Sequence, residues 1–277
     1  LDKVIGLMVG LAIIAVAGAY DDARELKPLP QFGFQFLAAF VVIFSGVVIS
    51  SIPNPLGGEI ALGILALPFT LFWIVGMMNT INWLDGLDGL ASGVTLISSG
   101  VLLLHTFRLG QFSLTLLPLA LMGAVLGFLL FNLPPARIFL GSGAYLLGFG
   151  LAVLSVIGGA KVATALLVLA IPILDVAWQI INRIRTGHSP FYADRGHLHQ
   201  RLYDLGYSMR AIVAIYYVLT ATFGALALLL PSGVYKLIAL VVIGIGAVAV
   251  LIMLRPMEKE EPQPHDPSSG SANAGKH

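Results

Sequence analysis

Two amides and two carboxylates, Asn79, Asn82, Asp85 and Asp88, fall within ten residues of the stretch 79–93, NTINWLDGLDGLASG. Both flanks are long apolar runs, and polar groups gathered beside hydrocarbon are costly enough to mark function. The i, i+3 spacing puts Asp85 and Asp88 on one face if the backbone is helical. Gly86 and Gly89 let a phosphate or a neighbouring helix approach the backbone closely. A polar helix-to-loop junction with capping Asp and Asn side chains is the other reading of the same residues.

Three further segments carry chemistry-bearing residues. Asp21 and Asp22 end the first apolar run, in AYDDARELKPLPQF. Adjacent carboxylates repel unless a cation or a proton relieves them, and a helix C-terminus does not favour anions. With oxygen donors and no cysteine, the cation that suits is Mg²⁺, which works together with substrate phosphates. In NLPPARIFLGSGAYLLGF, Gly141, Ser142 and Gly143 open a helix and form an expected phosphate turn, or equally a close-packing turn. In GHSPFYADRGHLHQRL, the two-residue spacing of His197 and His199 favours one side of an extended strand, and Arg195 and Arg201 offer bidentate geometry to anionic oxygens. Asp175, after Pro172 in an otherwise apolar span, is either a satisfied structural carboxylate or part of the site; His105 reads as structural.

The elements that must position these residues are membrane helices. The chain is 58% hydrophobic and 10% charged, with a mean hydropathy of +0.94, where soluble domains carry about 25% charged residues. A soluble fold is excluded, and the absence of cysteine excludes a disulfide framework and a thiolate metal site. A span needs roughly 20 apolar residues, and nine stretches approach that: 4–20, 33–51, 60–78, 90–107, 113–131, 143–160, 162–181, 210–230 and 234–254. The expected fold is therefore all-α, a polytopic membrane helical bundle of about nine transmembrane helices. It forms an integral-membrane domain over 1–255, followed by a disordered tail over 256–277. Pro68, Pro118 and Pro172 should kink their spans.

Nine spans divide the 15 basic residues unequally. Arg24, Lys27, Arg137, Arg183, Arg185, Arg195, Arg201, Arg210, Arg255, Lys259 and Lys276 fall on one side, against Lys3, Arg108, Lys161 and Lys236 on the other. That bias places the first side in the cytoplasm. Asp21, Asp22, Asp85, Asp88, Asp175, Asp194 and Asp204 lie on or near the same side. A transporter would carry carboxylates nearer the midplane, so the distribution favours chemistry at the membrane surface.

Taken together, Asp21-Asp22, the stretch Asn79 to Ala91, the turn Phe139 to Phe149 and the loop Asp194 to Leu202 resemble the four motifs of the polyprenyl-phosphate N-acetylhexosamine-1-phosphate transferases, in the right order. The loop DRGHLHQRL is similar to that of members using UDP-N-acetylglucosamine. The resemblance implies transfer of N-acetylglucosamine 1-phosphate to undecaprenyl or decaprenyl phosphate with release of UMP, a first membrane step of cell-envelope polysaccharides such as teichoic acid or O-antigen. It implies Mg²⁺ (or Mn²⁺) and pyrophosphate on Asp85, Asp88 and one Asp of the Asp21–Asp22 pair, the other Asp acting as base. The nucleotide sugar would be gripped by Asn79, Asn82, Asp194, Arg195, His197, His199 and Arg201. The expected partners are the nucleotide sugar, the polyprenyl phosphate and the membrane, with a homodimer as one assembly and no nucleic acid. The expected location is the plasma membrane, with the site on its cytoplasmic side.

Family members of this kind carry two further amino-terminal helices, so the resemblance reads the chain as a fragment lacking them. Gln31 stands where a Lys is usual, and Gln200 where a His is usual. The family's Asp between Gly141 and Ser142 is missing, which implies a chain that folds but transfers poorly. Two rival readings are a catalytically impaired scaffold and an intramembrane Mg-dependent prenyltransferase. The latter would carry two DxxxD motifs, whereas this chain has one DxxD and one DD.

Overall fold

The computed structural model describes residues 1–54, 57–159, 162–189, 196–231 and 234–253. Helix α1 (Asp2–Arg24) consumes the first apolar run and stops where Glu25 turns left-handed at φ 46°. Pro28 has no N–H to lose at the first helical position and starts α2 (Pro28–Phe44) ahead of the apolar run itself. Gly46, at φ 91°, closes it. The residues beyond do not continue the span to 51 as expected. The Pro- and Gly-rich stretch 53–58 demands a turn, so Ser51–Pro53 (β1) and Glu59–Ala61 (β2) pair as an antiparallel hairpin. Its cost in chain length pushes α3 (Ala66–Leu84) later than the predicted 60–78.

Helices α4 (Leu90–Arg108) and α5 (Phe112–Asn132) form an antiparallel pair, and α6 (Gly143–Ile157) follows. The three prolines behave differently. Pro68 falls in the first turn of α3, where its missing N–H has no partner to lose. Helix α5 runs unbroken through Pro118. Pro172 cannot donate to the Val168 carbonyl, and the helix breaks there: α7 (Val162–Val168) and α8 (Ala170–Arg185) meet at 85°. After the short α9 (Leu198–Asp204), Ser208 caps α10 (Met209–Leu229) by accepting the Ala211 N–H at 3.3 Å, and α11 (Val234–Met253) ends the described chain.

Six of these stretches are long and apolar enough to cross a membrane, namely Asp2–Arg24, Gly63–Leu84, Leu90–Arg108, Phe112–Asn132, Met209–Leu229 and Val234–Met253. The bent α7–α8 pair makes a seventh if counted as one broken span. Helices α2 and α6, with 17 and 15 residues, fall short of a full span. An all-α polytopic membrane protein is what the chain forms. Its exposed side chains agree: Phe44, Leu130, Val242 and Ile245 stand out of the protein as they would into lipid.

Helix α6 lies at the centre, packed on α1, α3, α4, α5 and α7. Ala144, Phe149, Ala152 and Val153 are fully buried along it. A Cβ on Gly148 would lie 2.6 Å from the Met77 carbonyl oxygen, so only glycine lets α6 approach α3 this closely. That approach brings the N-terminus of α6 beside the C-termini of α1 and α3, where the acidic motifs are.

Candidate active site

The last turn of α1 docks on the first turn of α6. Asp21 accepts three hydrogen bonds: from the Leu26 N–H at 2.7 Å, Gln31 Nε2 at 2.9 Å and Ser142 Oγ at 2.7 Å. Asp22 Oδ1 accepts the Ser142 N–H at 3.0 Å. The anion held at this helix N-terminus is thus the carboxylate of Asp22. Neutral donors relieve the adjacent carboxylates, and Gln31 contributes one of them. Gly141, at φ 54°, turns the chain into this contact, and a Cβ there would lie 3.0 Å from Asp22 Oδ1.

Tyr145, in the first turn of α6, lies beside both Asn82 and Asp21, which joins the first motif to the second. The other amide, Asn79, turns away from that contact. Its Nδ2 donates to Gln35 Oε1 at 2.7 Å and to the Val75 carbonyl at 2.8 Å.

Asp85 and Asp88 do not share a helical face, contrary to the spacing argument. Asp85 is the C-cap of α3, with ψ 49°, and Gly89, at φ 77°, is the N-cap of α4. Two glycines in DGLDG favour a tight turn over another helical turn. The turn still keeps the carboxylates close: burial, and then the charge of Asp88, push the Asp85 carboxyl up to about 7. Asp88 Oδ2 accepts the Ala136 N–H at 2.9 Å.

Sequence reasoning missed the residue that braces this turn. Buried Asn132, at the end of α5, accepts the Gly89 N–H at 3.1 Å and Ser92 Oγ at 2.6 Å, and donates to the Ile138 carbonyl at 3.0 Å. The Tyr217 hydroxyl adds a bond to the Gly89 carbonyl at 2.6 Å. The available signal was a lone amide closing an apolar helix, in FLLFN. Asn132→Leu strands two buried polar groups, the Gly89 N–H and the Ser92 hydroxyl, and should cost at least about 2 kcal/mol. Measured as a thermal midpoint, that is a fall of about 4–8 °C; an unchanged midpoint would make Asn132 dispensable to the turn.

Of the loop residues, Asp194 and Arg195 lie outside the described residues, as does the tail over 256–277. His197 and His199 do not share a strand. His197 is the extended N-cap of α9 (ψ 147°) and His199 lies in its first turn. Their rings nevertheless stack, with centroids 5.7 Å apart at 9°. His199 is fully buried against Gly86, leaving no room there for a Cβ. Burial lowers the His199 pKa to about 4, against a smaller upward pull from the Asp175 charge and with a still smaller downward push from His197. Neither of its ring nitrogens has a hydrogen-bond partner among the described residues. Arg201 is directed elsewhere: its Nε donates to the Gly196 carbonyl at 2.6 Å and Nη1 to the Leu251 carbonyl at 2.9 Å.

The four segments therefore converge at one end of the bundle, through Ser142–Asp22, Tyr145–Asn82 and His199–Gly86. Among the described residues no group of three His, Cys, Asp or Glu side chains is placed to hold a metal ion. Asp85 and Asp88 suit a hard cation all the same. They are half-buried, oxygen-only and mutually repelling, and Mg²⁺ needs few protein ligands when phosphates supply the rest.

An all-α membrane protein with an acidic site at one end is the class that fold and site define. Residues 4–159 match the family model of glycosyl transferase family 4, and the chain belongs to that family. It is 33% identical over 238 residues to a probable undecaprenyl-phosphate N-acetylglucosaminyl 1-phosphate transferase of Bacillus subtilis, covering 83% of this chain and 66% of the relative. It is 33% identical to a decaprenyl-phosphate N-acetylglucosaminephosphotransferase of Mycobacterium leprae (90% of this chain, 71% of the relative). A phospho-N-acetylmuramoyl-pentapeptide-transferase of Clostridium perfringens is 34% identical over 61% of this chain and 53% of its own length. The chain thus spans between about half and three quarters of the length of these relatives.

Proposed function

We propose that this chain transfers N-acetylglucosamine 1-phosphate from UDP-N-acetylglucosamine to a polyprenyl phosphate and releases UMP. The observation that carries the reading is the convergence of Asp21–Asp22, Asp85–Asp88, the Gly141–Gly143 turn and the His197–His199 stack at one end of an apolar bundle. A lipid acceptor buried in the bilayer and a donor in water meet only at such an end. The names of the relatives support the same donor and acceptor classes.

In this reaction an oxygen of the lipid phosphate attacks the sugar-bearing phosphorus, the bridging P–O bond breaks and UMP leaves with the electron pair. Positioning and charge neutralisation do most of the work in such transfers. Asp21, saturated by three donors, holds the turn. Exposed Asp22, which carries the single Ser142 bond, is left to meet the lipid phosphate and take up its proton. Asp85 and Asp88 would hold Mg²⁺, which supplies neutralisation of the pyrophosphate oxygens when bound. The stacked histidines and the loop before them grip the nucleotide sugar. The test is UMP release from UDP-N-acetylglucosamine by membranes carrying the chain. The release must depend on added polyprenyl phosphate, and release independent of the lipid would sink the reading.

The orientation is part of the proposal. The N-termini of α2 and α6 lie at the acidic end, through Gln31 and Ser142. The far end of α6 lies against Thr106, near the end of α4, through Gly158. Counting both short helices as spans gives nine, which places every acidic motif on the arginine- and lysine-rich, cytoplasmic side of the plasma membrane. Single cysteines in place of Ser208 and Glu59 test this, since the chain has none of its own. A membrane-impermeant reagent added outside should label position 59 and not 208; the reverse pattern inverts the topology.

A further inference from the structure

Asp175 belongs to none of the four motifs, yet it is 4% exposed and both of its oxygens are engaged by the segment that opens α9. Oδ2 lies 2.9 Å from His197 Nδ1, and Oδ1 accepts the Leu198 N–H at 2.9 Å. An ionised carboxylate only accepts hydrogen bonds, so Nδ1 of His197 carries the proton and Nε2 is left for a ligand. One turn further along α8, Gln179 Nε2 donates to the Gly196 carbonyl. A turn beyond that, the Arg183 guanidinium lies over the Trp83 ring, 5.6 Å from its centroid. These three residues form a buried i, i+4, i+8 stripe on α8. The stripe clamps residues 196–198 and reaches the Trp two places before Asp85. The His197 ring so fixed stacks on His199 and leans on Trp83 at 6.3 Å, and His199 fills the space over Gly86, between Asp85 and Asp88.

We propose that Asp175 is a positioning residue of the donor site. It fixes the Nδ1–H form of His197 and ties down the start of α9, which seats the two-histidine stack against the Asp85–Asp88 turn and leaves Nε2 of His197 to accept a hydrogen bond from an N–H or hydroxyl of the nucleotide sugar. This rests on the reading of the chain as a UDP-N-acetylglucosamine-dependent transferase. A carboxylate that only held the corner between α8 and α9 together would affect stability and leave binding alone.

The experiment is a double-mutant cycle on the full chain in lipid nanodiscs. Calorimetric titration with UDP-N-acetylglucosamine gives affinity, and the thermal midpoint is recorded beside it, for Asp175→Asn, His197→Asn and the pair. Asn at 197 keeps a donor toward Asp175 and removes only the Nε2 side of the ring. Each single change should weaken binding about tenfold, as when the partner that orients a ligand-binding histidine is lost. The double variant should bind no more weakly than the weaker single one, because Asp175 acts through His197. Parent-like binding by Asp175→Asn with a lowered midpoint overturns the proposal, as do losses that multiply in the double variant. If Asp175→Asn does not fold, undiminished binding by His197→Asn overturns it alone. A parent chain that binds no UDP-N-acetylglucosamine overturns the donor reading itself, an outcome distinct from a parent that binds and variants that match it.

Discussion

Inserting one aspartate between Gly141 and Ser142 is expected to raise magnesium-dependent UMP release at least about tenfold, or about 1.4 kcal/mol of barrier. The family resemblance implies a carboxylate at this point, and the turn that would carry it packs against Asp22. A Cβ on Gly141 lies 3.0 Å from Asp22 Oδ1, and the Ser142 N–H already holds that carboxylate. A further carboxylate brought against Asp21 and Asp22 is repulsive on its own. The gain should therefore appear with the divalent cation and vanish when the cation is chelated. The two chains must be compared at equal membrane abundance, because lengthening the turn also shifts Ser142 relative to Asp21. Unchanged release, from a parent that is already fully active, would show that the shorter turn is no defect. Release that stays negligible after the insertion would favour the scaffold reading.

Asp85→Asn and Asp88→Asn, made in the chain with the inserted aspartate, should each lower UMP release by about a hundredfold or more, roughly 2.7 kcal/mol of barrier. Removing either charge removes stabilisation of the transferring phosphate. The expected stability effects separate this from unfolding. Burial and the neighbouring Asp88 push the Asp85 carboxyl up to about 7, so its charge is held against a penalty that Asn does not carry. Asp85→Asn should leave the thermal midpoint unchanged or higher while turnover collapses, as when a site is kept for function at a cost in stability. Asn at 88 keeps an acceptor for the Ala136 N–H. Near-parental turnover of either variant would make these carboxylates structural.

What the sequence determined by itself was local and repetitive. Hydrocarbon requires long apolar helices whatever their partners, so the 58% hydrophobic composition and the lengths of the apolar runs fixed an all-α membrane fold. Pro172 broke its helix because a proline has no N–H for the Val168 carbonyl, and that too is a local fact. The acidic and glycine-rich segments announced themselves because polar groups are scarce in such a chain. Only the tertiary structure decided how those segments use their atoms. Ser142 turned its N–H and hydroxyl to Asp22 and Asp21, 120 residues or more away in the chain. Arg201 went to backbone carbonyls, whereas Asn132 and Asp175, which match no motif, brace the acidic turn and the histidine stack. Hydrogen-bond partners across a bundle depend on which helix ends meet, and a side chain's type does not encode that. The close approach of α3 and α6 at Gly148 sets those meetings, and it emerges only from packing.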